Sequence, residues 1–150
     1  VVAGSDEHAE DGHLTEDLAV RKVMVEKRLK KANGILQEVM PPEYFGSKKP
    51  DLLLVSWGST KGAVLEAAEE REGKGKSIGV LHFSQVWPLV PDQFIPALKA
   101  AKEVAAVEGN ALGQFAGLIR RESGFEIGKH IGRYDGLPIT PEFILRAIKE

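Results

Sequence analysis

The chain has 150 residues, no cysteine, and 20 lysines and arginines against 22 aspartates and glutamates, a formal charge of −2. That length buries a core without covalent staples, and the near-neutral balance removes any whole-domain electrostatic case for nucleic acid or an anionic membrane. The lack of cysteine excludes disulfides, Cys-ligated zinc and an iron–sulfur cluster held by this chain, and it fits a reducing compartment such as the cytoplasm.

The longest apolar runs are strand-length, so no membrane span is expected. The opening "VVAGSDEHAEDG" has neither the basic start nor the apolar core of a secretion signal, and the missing Met reads as a processed chain or an excised segment. Residues 1–13 read as an acidic, exposed lead-in or linker, 14–50 as a helix and connector, and 51–150 as an α/β domain. In the second stretch a helix is predicted over Leu14 to Lys31, with Thr15 as its cap, Leu14, Leu18, Met24, Val25 and Leu29 as its apolar stripe, and Asn33-Gly34 as its stop. Pro41-Pro42 and "GSKKPD" then punctuate a connector running to Pro50.

A regular alternation follows. "DLLLVSW" (51–57), "SIGVLHF" (77–83) and "EVAAVEG" (103–109) are near-continuous apolar runs, as suits strands covered on both faces. Between and after them come three helical patterns. The first, Thr60 to Glu72, buries Val64, Leu65 and Ala68; the second begins near Pro91 or Pro96 and carries Ala97, Leu98 and Ala101; the third starts at Ala111 with Leu112, Phe115, Leu118 and Ile119. Strand and helix in repetition predict a largely parallel sheet with helices on both faces. "KHIGRYDG" (129–136) adds a short edge strand, and "TPEFILRAIKE" closes the chain as a helix capped by Thr140 with Pro141 at its first position.

In such sheets ligands gather beyond the carboxyl ends of the strands. Three loops therefore matter: Gly58, Ser59 and Thr60 after Trp57; Gln85, Val86, Trp87, Pro88 and Leu89; and Glu108, Gly109, Asn110, Gly113 and Gln114. Their helix starts, hydroxyls and amides could serve an anion, but helix capping explains the same residues. The bland reading is preferred elsewhere too. "GKGKS" (73–77) lacks the first glycine of a phosphate-binding loop and precedes a strand; "GNALG" lacks the dinucleotide spacing, although Glu108 at a strand end mimics that setting. His8 and His13 read as part of an unstructured acidic segment instead of a metal site, His82 as a satisfied core histidine, and His130 as a surface residue. No nucleophile and base are paired by spacing. Trp57 and Trp87, on the predicted functional edge, suit interface anchors as well as core caps.

Taken in order, "GSDEHAEDGHLTED", "RKVMVEKRLKK", "DLLLVSWGSTKGAVLEA", "IGVLHFSQVWPL", "VAAVEGNALGQFAGLIRRESG" and "RYDGLPITPEFI" resemble the C-terminal part of the alpha subunit of 2-oxoacid:ferredoxin oxidoreductases, in the pyruvate and 2-oxoglutarate branch. The resemblance implies a transketolase C-terminal-like domain, three layers around a mostly parallel, mixed sheet of about five strands. It implies a complex that oxidatively decarboxylates a 2-oxoacid to its acyl-CoA and reduces ferredoxin, using thiamine diphosphate with Mg, iron–sulfur clusters and CoA, with a beta subunit as partner. No cofactor is expected on this chain alone and no catalytic residue is transferred to it. The three loops become candidates for subunit contact. Two other readings stand beside this one: a stand-alone nucleotide- or CoA-binding module of flavodoxin-like shape, or the same domain in a transketolase or 2-oxoacid dehydrogenase component.

Overall fold

A computed structural model describes residues 6–72 and 76–149. It divides into two compact units, Val1–Val39 and Met40–Glu150.

In the first unit a two-stranded hairpin pairs β1 (Glu7–His8) with β2 (Leu14–Thr15), and a long helix, α1 (Leu18–Gln37), follows. The described part of the acidic lead-in is thus structured: Glu7 is buried and its carboxylate accepts from Arg28 Nη1 at 3.0 Å. That guanidinium holds the Glu7 carboxyl down at about 2. The predicted helix boundaries need correcting at both ends. Thr15 belongs to β2, and Asp17 is the cap, its Oδ1 accepting from Ala19 N at 2.7 Å and Val20 N at 3.3 Å. Asn33-Gly34 does not stop the helix, since one exposed glycine costs a helix only about 1 kcal/mol. Of the predicted stripe only Met24 is buried, while Leu18 is 79% and Leu29 66% exposed.

The second unit holds a five-stranded sheet ordered β3-β5-β4-β6-β7, comprising β3 (Glu43–Gly46), β4 (Leu52–Trp57), β5 (Ile78–Phe83), β6 (Glu103–Glu108) and β7 (Lys129–Gly132). The last four are mutually parallel; β3 runs antiparallel to β5. Sequence reading left β3 inside the connector, yet residues 43–46 cover one side of β5. Tyr44 and Phe45 pack on opposite faces of the sheet.

Right-handed crossovers put helices on opposite faces when successive connections run in opposite directions. From β4 the chain moves through α2 (Lys61–Glu72) to β5, and from there through α3 (Ile95–Ala100) back past β4 to β6. It continues outward through α4 (Gln114–Ser123) to β7 and closes with α5 (Pro141–Lys149). Accordingly Leu52 and Leu54 face α2 and α5 through Val64, Ala67, Ile144 and Leu145. Leu53 and Val55 face α3 and α4 through Leu98, Phe115 and Ile119. Two helix starts differ from expectation. The residues after β4 form a 3-10 turn (Gly58–Thr60) before α2, and Leu112, expected on a buried face, is 85% exposed because α4 begins only at Gln114. Ala101 falls past the end of α3, in extended backbone. Thr140 caps α5 as read, accepting from Phe143 N at 3.3 Å.

Gly79 marks the tightest packing in β5. A Cβ there would lie 2.6 Å from Tyr44 Oη and 3.0 Å from Leu53 Cδ1 and Pro50 Cγ. Gly79→Ala should therefore cost about 1–3 kcal/mol through overpacking, measured as a lower urea midpoint at unchanged m-value.

Candidate functional site

The connections diverge between β4 and β6, so the loops after Trp57 and after Glu108 leave toward opposite faces of the sheet. This is the switch point where open α/β sheets place ligands. The start of α4, with its unpaired backbone N–H groups, lies beside it.

Those N–H groups are already taken. Glu108 is fully buried, and its Oε2 accepts from Phe115 N at 2.8 Å while Oε1 accepts from Ala116 N at 3.0 Å. Asn110 Nδ2 donates a third bond to Oε2 at 2.8 Å, and Asn110 Oδ1 accepts from Leu112 N and Gln114 N at 3.2 Å. A buried carboxylate needs such partners, and the positive end of a helix supplies them. Gly113 makes the approach possible. It enters α4 at φ +62, a left-handed conformation that side chains disfavour, and it is buried against the His130 ring. The chain thus fills with its own anion the place where a phosphate would bind, which removes the basis for a nucleotide grip at "EGNALG".

The other loops are likewise tied to the fold. After β4, Thr60 Oγ1 donates to the Trp57 carbonyl at 2.8 Å, Gly58 takes φ +58 and Ser59 is exposed. Trp57 packs its ring 6.1 Å from Phe115; its Nε1 is buried with no hydrogen-bond partner among the described residues. In the loop after β5, Gln85 accepts from Met40 N at 3.2 Å and donates to the Trp87 carbonyl at 3.1 Å. Leu89 is buried, Val86 is half-buried, and the Trp87–Pro88 peptide is cis. Trp87 itself is 55% exposed, with the Arg121 guanidinium 5.5 Å from its ring centroid. The edge therefore sorts into two groups. Glu108, Gly113 and Leu89 lie beneath it as supports, whereas Trp87, Leu112, Ser59, Gly109 and Gln114 form its surface.

On the opposite face, His82 Nδ1 lies 2.9 Å from Ser56 Oγ, both buried, which joins β5 to β4. This pair is structural: a fully buried serine hydroxyl offers no access to a substrate. Burial holds the His82 imidazole below its usual pKa, Lys61 adds to the effect and Glu43 opposes it. Lys61 Nζ is itself held by Glu43 at 2.6 and 2.8 Å. Among the described residues no group of three His, Asp or Glu side chains is placed to hold a metal ion. Of "GKGKS", residues 73–75 lie outside the described ones.

A family model for the transketolase C-terminal domain matches residues 45–121. The chain belongs to the transketolase C-terminal domain family. Its relatives are alpha subunits of 2-oxoacid:ferredoxin oxidoreductases. That of Aeropyrum pernix is 37% identical over 139 residues, covering 89% of this chain. The chain spans 22% of the length of that relative. Among solved structures, a 2-oxoglutarate:ferredoxin oxidoreductase from Magnetococcus marinus, with 2-oxoglutarate, coenzyme A and succinyl-CoA bound, matches with TM-score 0.79 and 29% identity over 99% of this chain and 26% of its own. The alpha chain of a probable 2-oxoacid ferredoxin oxidoreductase from Thermoplasma acidophilum matches at 30% identity with TM-score 0.52, over 73% of this chain and 94% of its own. The five-stranded mixed sheet is the one expected of a transketolase C-terminal domain.

Two outcomes test this reading of the domain. Glu108→Gln replaces one acceptor oxygen by an NH2 group that faces donors, and should cost about 2 kcal/mol in urea unfolding. For His82 the folded-state pKa lies below the unfolded value of about 6.5, so the unfolded chain binds more protons in the interval between them. Stability should then fall as pH drops from 7.5 to 5.5, and less steeply in His82→Gln.

Proposed function

We propose that this domain is the structural and subunit-contact module of a 2-oxoacid:ferredoxin oxidoreductase alpha subunit. The parent complex oxidatively decarboxylates a 2-oxoacid to its acyl-CoA and passes electrons to ferredoxin. Its partners are a beta subunit and, through the assembled complex, ferredoxin, in the cytoplasm. The observation that carries this reading is Glu108. With the anion position at α4 filled from within, the switch-point edge offers a partner a surface of Trp87 and Leu112 instead of a grip for a cofactor phosphate. Exposed aromatic and aliphatic anchors of this kind mark interfaces.

The chain has no ligands for the clusters of such a complex, and the start of α4 has no room for a diphosphate. An iron–sulfur cluster needs thiolates and the chain has no cysteine; the N–H groups at the start of α4 that could hold a diphosphate are occupied by Glu108. Thiamine diphosphate with Mg and the clusters are accordingly assigned to other parts of the complex, which also uses CoA. The domain's contribution is to hold a fixed edge against its neighbours. No helix among the described residues is long and apolar enough to cross a membrane.

The test is made in the intact subunit, coexpressed with its partners under anaerobic conditions. Trp87→Ala combined with Leu112→Ser should lower the yield of assembled complex on size exclusion, and with it the CoA- and 2-oxoacid-dependent reduction of a viologen dye. Unchanged assembly with both substitutions present would overturn the contact role.

A further inference from the structure

The opposite end of the sheet, where the parallel strands begin, carries a different chemistry. A cavity of about 760 Å³ opens between the starts of β6 and β7 and the last turn of α5. Its floor is apolar, made by Leu52, Ala105, Ile131 and Ile148; the first three are buried. Four lysines stand around it: Lys76, Lys102, Lys129 and Lys149, all exposed.

The charges do not cancel. Lys102 Nζ lies 2.6 Å from Asp51 Oδ1, and Lys129 Nζ lies 3.0 Å from Glu103 Oε2. These are the two carboxylates of the lining, and each already has its cation. Lys76 and Lys149 have no ion-pair partner among the described residues, which leaves the lining with an excess of positive charge over an apolar floor. The free carbonyls at the end of α5 oppose an anion there, but Lys149 sits on that last turn and offsets them. Concavity, an apolar floor and a few charged groups at the rim describe a small-molecule site, and the volume falls within the roughly 300–1,000 Å³ of such sites.

We propose that this cavity binds a small organic anion, a carboxylate or phosphate ester with an apolar body, its charge held by Lys76 and Lys149 and its body laid on Leu52, Ala105, Ile131 and Ile148. The site is independent of the subunit-contact edge, from which the length of the strands separates it. A flat lysine surface would suit an acidic protein better, but here the charges ring a hollow with an apolar base.

The probe is 1-anilinonaphthalene-8-sulfonate, titrated by fluorescence into the whole chain, with amide shifts followed by NMR. One saturable site is expected, with shifts confined to the neighbourhoods of Leu52, Ala105, Ile131 and Ile148. The double variant Lys76→Glu, Lys149→Glu, altered only at exposed side chains, should bind about tenfold or more weakly. Displacement by decanoate identifies a carboxylate site and displacement by naphthyl phosphate a phosphate site. Equal affinity in the double variant, displacement by neither competitor, or shifts centred on the exposed leucines of α1 or on Trp87 would each overturn the proposal. So would protection of the same amides by poly-L-glutamate, which carries charge without an apolar body and would point to an acidic protein.

Discussion

The carboxylate of Glu108 sets the arrangement of the sheet's carboxyl edge. Its strand must end with this side chain dropping beneath α4, and the charge can stay buried only while the Phe115 and Ala116 N–H groups and the Asn110 amide converge on it. That convergence in turn requires the chain to swing into the helix through Gly113 at positive φ. One interaction thus fixes where β6 stops, where α4 starts, and how Phe115 meets Trp57 and Phe83 in the core, at ring separations of 6.1 and 4.9 Å. It also decides what the edge can do, since a helix start that binds an internal anion is closed to an external one.

Much of this fold is legible in the residue pattern because the central strands are covered on both faces. Continuous apolar runs such as "DLLLV" and "IGVLHF" admit few alternatives once helical segments separate them. The hidden parts are those set by distant partners. Four residues, Glu43 to Gly46, exposed at both ends and half-buried between, become a strand because β5 offers them an open side, and nothing within the segment announces it. Asn33-Gly34 looks like a stop, but a glycine ends a helix only where the backbone can leave it, and α1 continues for three more residues. At the site, sequence reading counted Glu108 among the contact candidates, whereas the side chain is buried beneath α4. The available signal was an acidic residue closing a buried strand six residues before a helix start. That pattern serves a ribose in one setting and a helix N-terminus in another, and only the fold distinguishes the two.

The two ends of the sheet divide the work. At the carboxyl end, polar groups satisfy one another: Glu108 with α4, Ser56 with His82, Glu43 with Lys61. The large apolar side chains left outward there are Trp87 and Leu112, beside the exposed Ser59 and Gln114. At the amino end the apolar groups are inward and the lysines outward, with more positive charge than the neighbouring carboxylates neutralise. On the two proposals made above, a single sheet serves another protein at one edge and a small charged molecule at the other, without a change of scaffold.

The antiparallel strand β3 has a practical consequence for work on this domain. The family match begins at residue 45, inside that strand. A fragment trimmed to this boundary would lose Glu43 and Tyr44, and with them the ion pair to Lys61 and half of the pairing that covers β5. The exposed side of β5 would then present unpaired backbone donors and acceptors along an apolar strand, the arrangement that draws chains together edge to edge. Poor solubility of such a fragment would follow from where it was cut, and beginning at Met40 keeps the sheet closed on that side.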